Sequence, residues 1–238
     1  VTSPLATAIP VDGLPPGVSA WTTTRAAGSF GLGGADPVGD VMQRWMGLAH
    51  ELEAQGCHRL ASGHQVHATV VAHHEGSWTG WLRQWGVDGH MTTTPGTALA
   101  VTIADCTPVF IAHPDGAVAV LHAGWRGTAA GILPIGLDAL DAAGFRASAC
   151  SVHLGPSICG RCYEVGPEVL SAVRGGAASG KGRLDVRAVL AEQARARGVR
   201  SLTQSPLCTR CDGDALFSHR AGDAGRQLGI IAIRGVSA

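Results

Sequence analysis

The stretch VTIADCTPVF, Val101 to Phe110, constrains the fold more than any other part of the chain. Its flanks read as a buried strand, yet Asp105 and Cys106 stand in the middle of the apolar run. A buried, unpaired carboxylate costs on the order of several kcal/mol unless donors or a counter-charge meet it. Any fold of this sequence therefore has to supply Asp105 with a partner or a chemical task. Strand alternation sets Asp105 and Cys106 on opposite faces, so they are not equivalent ligands while the strand stays regular, and Pro108 allows a local break nearby.

Short β-branched runs recur along the chain: HQVHATVVA (64–72), TALAVTIADC (97–106), AVAVLHA (117–123), ACSVHLG (149–155) and QLGIIAIRG (227–235). Their length and composition are those of strands. Helical periodicity lies between them. VMQRWMGLAHELEAQG is closed by Gly56, and GTAAGILPIGLDALDAAG is bent near Pro134 and stopped at Gly144. PEVLSAV and DVRAVLAEQARARG follow, on either side of a Gly/Ser loop around Gly175 to Gly182. The alternation is too irregular for a doubly wound parallel sheet. It predicts an α+β fold, a single layered domain over residues 1–238 with mixed β-sheets flanked by helices, residues 1–20 forming an extended N-terminal segment.

Eighteen basic side chains balance eighteen acidic ones, which gives no electrostatic reason to expect a nucleic-acid partner or a membrane surface. The start lacks the basic and apolar regions of a signal peptide, and no segment has the apolar length of a membrane span, so a cytoplasmic location is expected. Seven cysteines, an odd number, argue for reduced thiols usable as ligands or nucleophiles. Lys181 is the only lysine and sits in the loose stretch RGGAASGKG, which removes most Schiff-base chemistry.

Three donors end predicted strands. Alternation in HQVHATVV sends Gln65 and His67 to one side, away from the apolar layer, and turns His64 to the other. AVAVLHAGWRGT ends its strand at His122, and Gly124 and Gly127 then lead into a helix start where Arg126 is a candidate anion clamp. Two imidazoles and a thiolate, His67, Cys106 and His122, form a three-ligand Zn²⁺ set with a fourth position open. Asp105 beside the thiolate can orient a ligand or take a proton. Cys106, Asp105 and His122 are thus the candidate catalytic residues. Cys159-Gly-Arg-Cys162 and Cys208-Thr-Arg-Cys211 have the spacing of a closed four-thiolate site, but the sequence does not show that the two pairs meet.

Taken in order, QVH (65–67), ADCTPV (104–109), HAGWRG (122–127), GPSICGRCYEV (155–165), and CT followed by FSHR and GRQ resemble the YfiH-like, or laccase-domain (multicopper polyphenol oxidase), family. That resemblance spans about Trp21 to Ile233 and implies the family's layered α+β fold. It implies Zn²⁺ on His67, Cys106 and His122, and phosphorolysis of purine nucleosides such as adenosine, inosine, guanosine and methylthioadenosine, accompanied by adenosine deamination. A purine nucleoside and phosphate are then the small-molecule partners, with Gln65 and Arg126 on the substrate and Arg44 matching a family arginine at the phosphate. The chain departs from the pattern at Gln43, where an Asn is usual, and at His219, where Tyr is more frequent. The alternatives are a copper-dependent polyphenol oxidase, a cysteine hydrolase using Cys106 and His122, a peptidoglycan-editing factor, and a binding domain with a structural metal. A laccase-type trinuclear copper cluster needs several HxH pairs, and none of the eleven histidines has that spacing.

Overall fold

The computed structural model describes residues 3–76 and 78–235. Its strands are β1 (Ile9–Pro10), β2 (Val18–Thr22), β3 (Arg59–His64), β4 (Val71–His73), β5 (Gly80–Trp85), β6 (Gly89–Thr92) and β7 (Thr97–Ile103), followed by β8 (Thr107–His113), β9 (Ala117–Ala123), β10 (Ser151–Leu154), β11 (Glu164–Val165), β12 (Gly182–Arg183), β13 (Ser201–Gln204) and β14 (Gln227–Ile233). The α-helices are α1 (Val38–Ala54), α2 (Trp125–Ala129), α3 (Ile132–Ala142), α4 (Pro167–Arg174) and α5 (Val186–Ala196). Two six-stranded mixed sheets form, in the orders β1-β2-β14-β7-β3-β5 and β13-β10-β8-β9-β6-β4. The fold is α+β, as its irregular alternation of elements predicts.

The sheets face each other and each carries helices on its outer face, which explains the near-continuous apolar strands. Every residue of β8, β9 and β14 is buried, the pattern of strands covered on both sides. Alternation then sorts their side chains. In β14, Leu228, Ile230 and Ala232 pack under α1, whereas Ile231 and Ile233 enter the layer between the sheets. In β9, Ala119 and Leu121 meet α3, whereas Val118 and Val120 point inward. His122 shares the inward parity and so ends its strand at the mouth of the inter-sheet layer.

Local chemistry sets the helix limits. In α1, Val41, Trp45, Leu48 and Leu52 repeat at helical spacing and are buried. The helix ends as Gly56 takes φ +84°, with the amide of Cys57 returning to the carbonyl of Leu52 at 2.8 Å. Asp185 caps α5 by accepting the Ala188 amide at 3.2 Å. The helix expected to bend at Pro134 is instead two helices, α2 and α3. The break falls at Gly131, whose left-handed φ of +81° glycine adopts most readily, and Pro134 stands in the first turn of α3, where a missing N–H costs nothing.

Two expected strands are also corrected. Residues 64–72 are not one strand: β3 stops at His64, residues 65–70 form a loop, and β4 resumes at Val71. VTIADCTPVF is not one strand either. β7 ends at Ile103 in the first sheet and β8 starts at Thr107 in the second, so residues 104–106 are the passage between sheets.

On the second sheet, His74 and His90 share a buried hydrogen bond, Nε2 to Nδ1, of 2.9 Å. Burial pushes His74 down to about 4, with His73 adding repulsion, and pushes His90 down to about 3. The unfolded chain protonates both near the ordinary histidine pKa of about 6.5. Stability should therefore be lost as pH falls below about 6.5 towards 4, by roughly 2 kcal/mol per histidine at about pH 5. Thermal unfolding at about pH 7.5 and about pH 5 should show this drop in Tm, and the double variant His74→Gln/His90→Gln should flatten it; an unchanged slope in the variant counts against the pair as its source.

Candidate metal centre

His67, Cys106 and His122 converge, with their ligand atoms within 4.8 Å of one another. Each arrives from a different element end. His122 closes β9, Cys106 sits in the passage from β7 to β8, and His67 lies in the loop after β3. The β8–β9 register pairs Pro108 with His122 and Thr107 with Ala123, which brings Cys106 alongside Gly124. A Cβ at Gly124 would stand 2.9 Å from the Cys106 sulfur and 3.1 Å from the His67 ring, so the donors close around a position that only glycine leaves free.

Asp88, wholly buried, organises the trio. Its carboxylate accepts the amides of Val66 at 3.0 Å, His67 at 2.9 Å and Ala68 at 2.9 Å, and the Nδ1–H of His122 at 2.9 Å. Three consecutive amides reach one carboxylate because His67 takes the left-handed conformation, φ +60°. Burial disfavours the ionised acid, but the His122 bond and the Val66 and Ala68 amides outweigh it and hold the carboxyl below its ordinary range. With Nδ1 committed to Asp88, Nε2 of His122 is the nitrogen left for a metal once its proton is displaced, the carboxylate–histidine arrangement of metal sites.

The thiol is activated in the same way. Its surroundings disfavour charge, but the charge of His122 and hydrogen bonds from His122 and His67 lower Cys106 to about 6. Burial alone would lower His122, yet Cys106 and Asp88 raise it to about 9. Around neutrality the metal-free pair is thus a Cys106 thiolate beside a His122 imidazolium, and a metal would bind the thiolate while displacing the Nε2 proton. Soft sulfur and two imidazole nitrogens, with His67 exposed on the solvent side, fit a thiophilic or borderline divalent ion.

The trio lies on the wall of a cavity of about 530 Å³, which Gln65, Asp105 and Arg126 also line. Asp105 has φ +81°, and both its carboxylate oxygens are engaged: Oδ1 accepts Thr209 Oγ1 at 2.6 Å and Ser218 Oγ at 2.7 Å, and Oδ2 accepts the Arg220 amide at 2.6 Å. It therefore fastens the 209–220 segment to the rim of the cavity that it also lines. Gln65 is similarly occupied, its amide exchanging hydrogen bonds with the Thr102 backbone at 2.7 and 2.8 Å and so prolonging the β3–β7 pairing.

Arg44 does not join the cavity. It pairs with Asp36 at 2.6 Å and donates to the Ser29 carbonyl at 2.8 Å, bracing the loop before α1. The cationic wall is instead Arg126, Arg220 and Arg226. Arg126 stacks on Trp125 and Arg220 on Tyr163, while Arg226 is anchored on the carbonyls of residues 223–225. Asp88 had no signal in the sequence, where Val-Asp-Gly reads as a plain turn; Arg220 and Arg226 lay within the noted FSHR and GRQ segments.

Residues 17–234 match the family described as multi-copper polyphenol oxidoreductase laccase. The chain is 35% identical to purine nucleoside phosphorylase ORF3 of Streptomyces griseus, over 89% of this chain and 90% of the relative. It is 34% identical over 57% of each chain to adenosine deaminase RL5 from an unknown prokaryotic organism. Among solved structures, YlmD from Geobacillus stearothermophilus superposes with a TM-score of 0.84 at 30% identity, covering 92% and 93% of the two chains. YfiH from Bacillus licheniformis gives 0.82 at 25% identity, covering 91% and 93%.

Replacing Asp88 by Asn removes the charge that fixes His122 and the 66–68 loop. Zinc affinity, measured by competition with a chelator, should fall about 10- to 100-fold while the secondary structure is kept; unchanged affinity would show that Asp88 does not orient the donors.

Proposed function

The chain belongs to the multi-copper polyphenol oxidoreductase laccase family, and within it we propose a zinc-dependent purine nucleoside phosphorylase with adenosine deamination as a second activity of the same cavity. The observation that carries this reading is the meeting of the His67–Cys106–His122 trio with three arginines around one cavity. The names of the relatives support the reaction class, and the cavity lining offers groups suited to its parts. Adenosine, inosine, guanosine and methylthioadenosine are the proposed nucleosides.

A volume of about 530 Å³ is in the range of small-molecule sites. Arg126, Arg220 and Arg226 give phosphate a charge-assisted, forked set of donors, replacing Arg44 in that role. Trp125 and Tyr163 hold two of these guanidiniums flat against their rings. Tyr163 and His219, both lining the cavity, are the candidates to give the departing purine its proton as the C1′–N9 bond breaks and a phosphate oxygen takes C1′. Zinc on His67, Cys106 and His122, with one position open, would supply Lewis acidity. Asp88 keeps His122 in the one tautomer that can serve it.

Copper shares the His₂Cys preference, but a laccase-type oxidase needs further histidine-rich copper sites. Among the described residues the two groups of three or more convergent donors are this trio and a four-cysteine set. That inventory favours a single non-redox metal in the cavity.

Adenosine with phosphate should yield adenine and ribose-1-phosphate on chromatography, and inosine should form with or without phosphate. His122→Ala should abolish both products. Arg226→Met should raise the KM for phosphate about tenfold or more, the cost of one charge-assisted contact. Absence of either purine product from the zinc-loaded protein, or full turnover by His122→Ala, would overturn this reading.

A further inference from the structure

Away from the trio, the two CxxC pairs left open by the sequence come together. The sulfurs of Cys159, Cys162, Cys208 and Cys211 all lie within 4.8 Å of one another, although the pairs are 49 residues apart. We infer that these four cysteines form a second, closed tetrathiolate site that takes one structural Zn²⁺, separate from the cavity metal.

Geometry and donor chemistry both support it. Two sulfurs on one tetrahedral zinc at about 2.3 Å are about 3.8 Å apart. Cys162 and Cys211 are at 3.4 Å, well beyond the ~2.05 Å of a disulfide, so the set needs only small adjustments to close on an ion. Each CxxC is already a tight knuckle. In the first, the Cys162 amide returns to the Cys159 carbonyl at 2.9 Å; in the second, the Asp212 amide returns to the Cys208 carbonyl at 2.8 Å, and the Asp212 carboxylate accepts the Cys208 amide at 2.8 Å. The buried Cys208 sulfur is approached by two amides, from Cys159 at 3.3 Å and Cys211 at 3.5 Å, donors that favour a thiolate. Zn²⁺ with four thiolates carries two negative charges, and each knuckle places an arginine, Arg161 or Arg210, beside its second cysteine. A four-sulfur tetrahedron with no open position selects zinc or iron and leaves no room for substrate, so its task is structural.

The site would staple two loops that the cavity depends on. The Ile158 amide binds the Asp105 carbonyl at 3.0 Å, one residue before Cys159, and Thr209, one residue after Cys208, donates to the Asp105 carboxylate at 2.6 Å. The Ser157 carbonyl also accepts the Thr209 amide at 3.2 Å. A zinc ion here would cross-link both segments that grip Asp105, the neighbour of Cys106.

The test is metal content per chain, by elemental analysis and native mass spectrometry, on protein made with zinc and kept reduced. Wild type should hold two zinc ions. Cys162→Ser/Cys211→Ser, altering the pair that includes the exposed Cys211, should hold one, and His67→Ala/His122→Ala should also hold one, lost from the other site. No zinc at the four cysteines of wild-type protein, shown by a metal count that the Cys162→Ser/Cys211→Ser change does not lower, iron in place of zinc, or a Cys162–Cys211 disulfide on peptide mapping would overturn the inference. If the cysteine variant fails to fold, His67→Ala/His122→Ala decides, because an ion that it retains is held by the four cysteines. If the cavity metal is absent, the histidine variant matches wild type while the cysteine variant still loses one ion, so failure of the two readings is distinguishable.

Discussion

The buried Asp88 carboxylate is the interaction on which the site depends. It stands where the loop after β3 and the end of β9 meet, and its fully buried oxygens accept from three backbone amides and one imidazole. Remove it, and the loop has no reason to hold His67 at a positive φ, nor has His122 a fixed tautomer. The charge that a buried acid ordinarily makes expensive becomes useful here, because the donors around it are those that need to be ordered.

The same economy explains Asp105. Its position in an apolar run looked like a defect of a strand, and the resolution is that no strand is there. The chain leaves one sheet and enters the other across Ala104 to Cys106, and Asp105 turns its carboxylate onto Thr209, Ser218 and Arg220. Two carboxylates thus divide the labour: Asp88 fixes the donors from within, and Asp105 fixes the far wall of the cavity from its rim.

Legibility in the sequence followed the range of the signal. Apolar runs and helix periodicity are local, so the α+β class, α1 and α5 were readable, and His67, Cys106 and His122 stood out as donors at strand ends. Alternation failed at Gln65 to Val70 and at Asp105, where a left-handed residue breaks the period of two with no glycine to announce it. Asp88 was invisible because a Val-Asp-Gly turn is ordinary; its partners are 20 to 34 residues away. The partners of Arg44 were hidden for the complementary reason, since an arginine on a helix does not reveal that Asp36 and Ser29 will claim it. The cysteine pairs were legible as spacings, and only the fold could bring them together.

The place of β14 has a consequence for how the molecule comes into being. This strand is the last of the fourteen among the described residues, yet it lies between β2 and β7 in the interior of its sheet. During synthesis β2 and β7 must wait, each with a bare edge, until more than a hundred further residues have left the ribosome after β7. The partners of Asp105, 104 to 115 positions away, arrive over the same late interval. Closure of this sheet thus waits on β14, with long-range contacts that are slow to form and edges open to mispairing meanwhile.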